Sequence, residues 1–308
     1  MPLFIPTTAE PSVSIARYTT QELVEEILGH LSGHTIDQGQ MSFLTRNMNI
    51  NDLQMHVDDL SGFSRGIAEV GFELVYVTSV DSNKCVIAPH GRGYRASFPA
   101  AWPEGTEVSF APRFPRSTVL NELNDVISSV FPTIWAVGTT ELTTDGVRRT
   151  YELPAETADI LEVEWKPVGP TGSWENIDRY SFDSTAPTRD YKNGKSITLP
   201  HITPGRPVKV TYMARPSALP IEGEFTDTGL SETAWPAVKY GVLHRMAASL
   251  TLGMLENDSA QGQEYNRTGQ RPVAAEVSDY YRALHQQYLS EEQSRLRTQV
   301  STRVSFRG

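Results

Sequence analysis

The chain has 308 residues, 39% hydrophobic and 21% charged, enough for about two compact units; no apolar run nears the roughly 18 residues of a membrane span, so it reads as soluble and folded. Its 27 basic against 37 acidic side chains give a net charge of -10, which argues against a surface that grips nucleic acid, though not against one that DNA passes without sticking. One cysteine, Cys85, excludes an internal disulfide framework and a cysteine-built zinc cluster.

Residues 1–6 are apolar but too short for a secretory leader, and nothing points to export. Over 19–31, Leu23, Ile27 and Leu31 fall four apart with Val24 and Leu28 beside them, one face of an amphipathic helix. Thr19 or Thr20 can cap it, with Glu22 in the first turn. From 33 to 66 the pattern is polar, with a weak short-helix signal near 50–60, and reads as a variable surface segment.

Short β-branched and aromatic runs come next at 72–78 and 84–88, separated by the turn signature Asp81, Ser82, Asn83. His90, Gly91 and Gly93 mark another tight turn, and 105–110 reads as a further strand. Together these make a small β unit over 66–111, too short to stand alone. Pro112 and Pro115 then punctuate the chain. Val119, Leu120, Leu123, Val126, Ile127 and Val130 predict a helix over 117–131, with Ser117 as its cap and Pro132 as its stop.

From 147 to 215 the period drops to two. Leu161, Val163 and Trp165 alternate with Glu162, Glu164 and Lys166, and Val208, Val210 and Tyr212 repeat the pattern. Further strands are expected at 149–153, 178–182 and 195–199, which predicts an antiparallel sandwich-like unit. Two helices close the chain. The first, 234–256, has Thr233 as cap, Trp235, Val238, Val242, Met246 and Leu250 on one face, and Gly241 and Ala247 for close approach. The second, 274–297, carries Val277, Tyr281, Leu284 and Tyr288, and the two form an antiparallel pair.

The expected fold class is therefore α+β: a helical core of helices 117–131, 234–256 and 274–297, interrupted by the β unit and by a β-sandwich-like insertion at 147–215. As domains this gives an N-terminal segment 1–65, a β unit 66–113, a helical core from 114–135 and 228–297, the insertion, and an extended arm 298–308.

The chemical motifs are absent. There is no phosphate loop, dinucleotide fingerprint, zinc-protease histidine pair or nucleophile elbow, so no enzyme, cofactor or metal is expected. His30 and His34 are four apart, but Gly33 lies between them at the helix end. Cys85 reads as a small buried side chain. The pairs Glu25-Glu26, Asp58-Asp59 and Glu291-Glu292 are adjacent, do not face one another on a helix and read as solvated charge. Glu162 and Glu164 share a strand face and could form an acid/base pair on a polysaccharide; an exposed sheet face is the simpler reading. Trp165, Trp174, Tyr180 and Tyr191 could form a sugar-stacking platform, although the parity of Trp165 favours the core.

The C-terminal stretch differs in kind. From Ser294 onward there is no acid, while Arg295, Arg297, Arg303 and Arg307 are spread among Val300, Val304 and Phe306, which alternate with polar residues. One reading is a frayed tail; the other is an arm that adds to another subunit, its arginines pairing with acids there.

In order, FELVYVTSVDSNKCVIAPHGRGYRASFPAAWPEGTEVSFAPRFPRS, LNELNDVISSVFPTIW, YELPAETADILEVEW, GKSITLPHITPGRPVKVTYMARPSAL and SETAWPAVKYGVLHRMAAS resemble the head-to-tail adaptor (connector, neck) proteins of tailed double-stranded-DNA phages, particularly those of actinobacteria. The resemblance covers about 66–297. It implies a non-enzymatic virion protein of the head–tail neck, made in the host cytoplasm, that forms a homo-oligomeric ring, commonly of about twelve copies, beneath the portal. It also implies partners: the portal protein, the next neck ring of stopper or tail-terminator type, further copies of itself, and DNA passing through the lumen without sequence-specific binding; no membrane is involved. By the same resemblance the portal-docking residues are Arg295, Arg297, Val300, Arg303, Val304, Phe306 and Arg307. Acidic side chains of the helical region are expected to face the lumen. The alternative from the residues themselves is a carbohydrate-binding tail or virion decoration protein.

Overall fold

The computed structural model describes residues 18–32, 40–81, 84–167, 173–258 and 273–299. Among them are thirteen strands in three antiparallel sheets and four α-helices. The chain is thus mostly β, which corrects the expected helical core with a small β unit and an insertion. Two of its three apolar clusters lie within sheets and only one among helices.

Helix α1 (Thr20–Ser32) buries Leu23, Val24, Ile27 and Leu31. Thr19 is its cap: the Glu22 amide donates to Thr19 Oγ1 (3.3 Å) and the Thr19 amide donates back to Glu22 Oε2 (3.0 Å). Thr20 is buried instead, its hydroxyl donating to the Pro220 carbonyl at 2.7 Å.

The segment expected to be variable surface is the start of the first sheet. Strands β1 (Gln40–Phe43), β2 (Gln54–Met55), β3 (Gly66–Val70), β4 (Glu73–Asp81), β5 (Lys84–Ile87) and β6 (Glu107–Phe110) pair in the order β1-β6-β3-β4-β5-β2. The outer strands then meet. Leu44 bridges Val57, the Thr45 amide donates to the His56 carbonyl (3.0 Å) and the Asp58 amide to that of Phe43 (3.0 Å). The sheet curls on itself around Leu44, Met48, Met55, Val57, Val70, Val75, Cys85 and Val108. No helix forms at 50–60, because Met55 and Val57 turn into this core and leave the polar residues outside.

Deep in one wall, Glu73 of β4 is fully buried and accepts five hydrogen bonds, from Arg92 Nε (2.6 Å) and Nη2 (2.9 Å), Trp102 Nε1 (2.8 Å), and the amides of Gly93 (3.0 Å) and Ala100 (3.1 Å). Arg92 also donates to the carbonyls of Asn49, Asp52 and Ala100, so the pair staples three loops to the sheet.

Helix α2 (Arg116–Ser129) buries Val119, Leu120, Leu123, Val126 and Ile127. Its cap is Pro115 rather than Ser117, and the missing side-chain acceptor comes from elsewhere: the Arg116 amide donates to Glu69 Oε1 of β3 at 2.5 Å.

Strands β7 (Ala136–Thr143), β8 (Thr150–Glu152), β9 (Thr157–Trp165), β10 (Glu175–Asn176), β11 (Ser181–Asp183), β12 (Ser196–Thr198) and β13 (Pro207–Ala214) form two sheets, β10-β9-β13-β7 and β11-β12-β8. Both contribute to one core around Leu153, Ile160, Val163, Ile197, Leu199, Val208, Val210 and Tyr212. The expected parity of β9 fails at Leu161. The register shifts there, with Tyr212 opposite Ile160 and Thr211 opposite Glu162, so Leu161 is the extra residue of a bulge and both Ile160 and Val163 point inward.

Helices α3 (Trp235–Asp258) and α4 (Val273–Gln299) run antiparallel: His285 Nδ1 lies 2.7 Å from the Ala237 carbonyl, and His244 Nδ1 lies 2.9 Å from Ser278 Oγ. They approach closely at Gly241, where an added Cβ would come within 2.8 Å of Val126 and 2.9 Å of the His285 ring. A 3₁₀ turn, Glu232–Ala234, leads into α3, so Thr233 does not cap it as expected. All four helices share one core, with Trp235, Val238 and Val242 facing α1 and α2 residues.

Candidate partner-docking site

By the family resemblance, docking is expected from the end of α4 onward. Of the seven residues concerned, Arg295 and Arg297 are described; Val300, Arg303, Val304, Phe306 and Arg307 lie outside the described residues. Arg297 is exposed. Arg295 is turned back onto its own chain, its Nε donating to Glu292 Oε2 at 2.8 Å and its Nη2 to Glu292 Oε1. Donating these hydrogen bonds to Glu292 raises the Arg295 pKa further.

Glu292 is not the solvated charge its sequence suggested. It is 5% exposed and also accepts from Thr233 Oγ1 (3.2 Å), in the 3₁₀ turn that leads into α3. Leu296, one turn later, sits in the helical core. Glu292 and Leu296 therefore tie the penultimate turns of α4 to the start of the α3 segment and to the helical cluster.

The outward residues of α4 carry both signs: Glu276, Arg282, Glu291 and Arg297 are exposed, and Arg282 pairs with Asp279 at 3.0 Å. Tyr240 of α3 stacks on Tyr288 (5.4 Å between centroids, 11°) and on Tyr281 (6.1 Å, 27°), with Lys239 Nζ 5.0 Å from the Tyr240 ring.

A second cluster, with no local signature in the sequence, joins the barrel-like sheet to the helices. Arg116 reaches three carboxylates: Glu25 of α1 (2.8 Å), Glu69 of β3 (3.2 Å) and Glu107 of β6 (2.9 Å). Burial pushes the Glu69 carboxyl up to about 7 against the pull of Arg116. Glu26, next to Glu25, accepts from Trp235 Nε1 and Lys239 Nζ, each at 2.8 Å. Neither glutamate of this adjacent pair is simply solvated. Beside the junction lies a groove of about 260 Å³, walled by Phe72, Leu120 and Ile221, with Phe98 73% exposed at its rim.

The other candidates resolve into structure. Cys85 is fully buried, and burial pushes its thiol up to about 11, the opposite of what a nucleophile needs. Glu162 is held by Asn176 Nδ2 at 3.0 Å and Glu164 by Lys209 Nζ at 3.2 Å, so the two do not form a facing acid/base pair. Trp165 and Tyr180 pack on the sandwich core. Among the described residues no cluster of three or more histidine, cysteine or carboxylate side chains could hold a metal, and no helix is long and apolar enough to cross a membrane. No protein-family model matches the chain, and no curated protein matches it.

Proposed function

We propose that this is a structural virion protein, a head-to-tail adaptor that assembles as a ring beneath the portal, joins capsid to tail and forms part of the channel for double-stranded DNA. The observation that carries the reading is the anchored end of α4. Leu296 in the helical cluster and Glu292 held by Thr233 tie α4 to the rest of the fold where the acid-free stretch begins. An arm with a fixed base loses less freedom on docking than one that must order its helix as well.

The order of segments across 66–297, which resembles the adaptors of tailed phages, supports the same reading. So does charge: a chain of net -10 with mixed signs along exposed α4 suits a wall that neither grips the duplex nor strongly repels it. In this reading the arm and Arg297 meet the portal, while Arg295 is a positioning residue that holds the helix end through Glu292.

The test is electron microscopy of the protein mixed with portal, with the full chain and with residues 298–308 removed. A ring seated on the portal with the full chain, and none with the truncated one, is the expected result. Normal assembly of the truncated chain would overturn the docking arm, and no ring with the full chain would overturn the adaptor.

A further inference from the structure

At one end of the sandwich two loops clasp each other. Thr144 is almost fully buried; its amide donates to the Arg206 carbonyl (3.0 Å), its hydroxyl donates to the Thr203 carbonyl (2.9 Å) and accepts from the Arg206 amide (3.0 Å), and the Gly205 amide donates to the Thr144 carbonyl (2.6 Å). Gly146, at φ +75°, lies so close to Pro204 that an added Cβ would come within 2.3 Å of the ring. Only glycine lets the loops close this far.

Between the loops lies a cleft of about 190 Å³, lined by Thr144, Arg148, Arg149, Tyr151, His201 and Ile202 among others. Its polar groups are cationic and under-used. Arg148 is 79% exposed, and Arg149 and His201 are also exposed. The acid of the turn, Asp145, is engaged elsewhere: its Oδ1 accepts the amides of Val147 (2.9 Å) and Arg148 (2.7 Å), bonds that hold its carboxyl below the usual range. Its other oxygen makes a long, exposed ion pair with Arg148 Nε at 3.9 Å, too far for a hydrogen bond and weak in water. Behind the clasp, Arg206 has a buried Nε with no hydrogen-bond partner. In a chain of net -10, Arg148, Arg149 and Arg206 gather at this end, with the exposed Asp145 pairing to Arg148.

The rest of the lining is apolar or presents a ring. The Tyr151 hydroxyl donates to the Arg148 carbonyl (2.9 Å) and its ring packs partly on the sandwich core, so what half-buried Tyr151 turns to the cleft is ring edge or face rather than hydroxyl, with half-buried Ile202 beside it. Forked donors beside an aromatic face suit a planar or tetrahedral oxyanion carried on a ring with weakly polar faces. The volume accommodates one such ring and is small for a nucleotide.

We propose that this cleft binds an acidic saccharide, a sugar ring bearing a carboxylate or a phosphate, with Arg148 and Arg149 taking the anionic group and Tyr151 the ring. This does not rest on the adaptor reading and stands or falls separately from it.

The experiment is isothermal titration of the full chain with glucuronic acid, glucose 6-phosphate, glucose and inorganic phosphate, repeated with the double variant R148A/R149A. Both arginines are exposed, so the variant should melt at the wild-type temperature and unfolding will not mimic lost binding. Expected is saturable binding of glucuronic acid or glucose 6-phosphate at least about tenfold tighter than that of glucose or inorganic phosphate, weakened at least about tenfold in the variant and by added salt. Which of the two acids binds identifies the anionic group. Saturation by neither acid, equal affinity for inorganic phosphate, or unchanged binding in the folded double variant would each overturn the site.

Discussion

Arg92 meets the carboxylate of Glu73 through two parallel hydrogen bonds of 2.6 and 2.9 Å, and the two side chains are only 7% and 0% exposed. Burial pushes the Glu73 carboxyl up, but the donors from Arg92, Trp102, Ala100 and Gly93 together outweigh it and hold the pKa below the usual 4.5. Arg92→Met should therefore cost about 3 to 5 kcal/mol at neutral pH, because it strands a buried charge. A depressed carboxylate contributes stability that is present above pH 4.5 and lost as pH falls through the folded value. The gap between wild type and variant should accordingly narrow toward pH 3 in urea melts followed by circular dichroism. A gap independent of pH would mean that Glu73 is not ionised in the fold.

Glu69 predicts the opposite slope. Its folded pKa of about 7 lies above the usual 4.5, so the fold favours the protonated form; the stability this adds is fully present below pH 4.5 and lost as pH rises through 7. Glu69→Gln removes the titration. The stability difference between pH 5 and pH 8 should shrink relative to wild type by an amount on the order of 3 kcal/mol. Parallel pH profiles for the two proteins would sink the assignment.

Two helical glycines should respond in opposite directions. Gly29 of α1 is exposed with nothing within 4 Å of an added Cβ, so Gly29→Ala should stabilise by about 0.5 to 1 kcal/mol. At Gly241 the same methyl meets Val126 and the His285 ring, which is held by Ala237. There the helix-propensity gain is outweighed by overpacking, about 1 to 3 kcal/mol. Thermal melts of the two single variants decide it, and a stabilising Gly241→Ala would show that the α3–α4 contact is looser than described.

Cys85 serves as a reporter on the barrel-like sheet. Buried completely, with its thiol pushed up to about 11, it should react with an aromatic disulfide reagent only as fast as the sheet opens. Labelling in the native protein should speed up in Arg92→Met and stay unchanged in Gly241→Ala. Rapid labelling of the native wild-type chain would contradict the burial.

How much of the structure is legible in the sequence depends on the range of each signal. Helices announce themselves through residues three and four apart, so Leu23–Ile27–Leu31 and Val119–Leu123–Val126 mark α1 and α2 to within a residue or two. Strand β1 is four residues long and its partner β6 begins at Glu107; nothing local in Gln40–Phe43 reveals that pairing. Ser117 looks like a cap because the acceptor that serves α2, Glu69, is 47 positions away. The parity of β9 misleads because a bulge at Leu161 leaves no mark in composition. At the candidate site, the adjacent pair Glu291-Glu292 hides the role of Glu292, whose partner Thr233 is 59 positions earlier. The Arg148-Arg149 dipeptide carries no local signal, because its setting comes from the 199–206 loop brought beside it.

The pairing of β7 with β13 ends with Ala136 directly opposite Ala214, both buried. The chain thus leaves the helical cluster and returns to it almost 80 residues later through neighbouring strands, about 5 Å apart. To α2 and α3 the whole sandwich presents no wider a gap than a hairpin turn does. Lengthening, replacing or excising that module would not re-thread the helices, so its outward loops are free to diversify while the helical cluster stays the same.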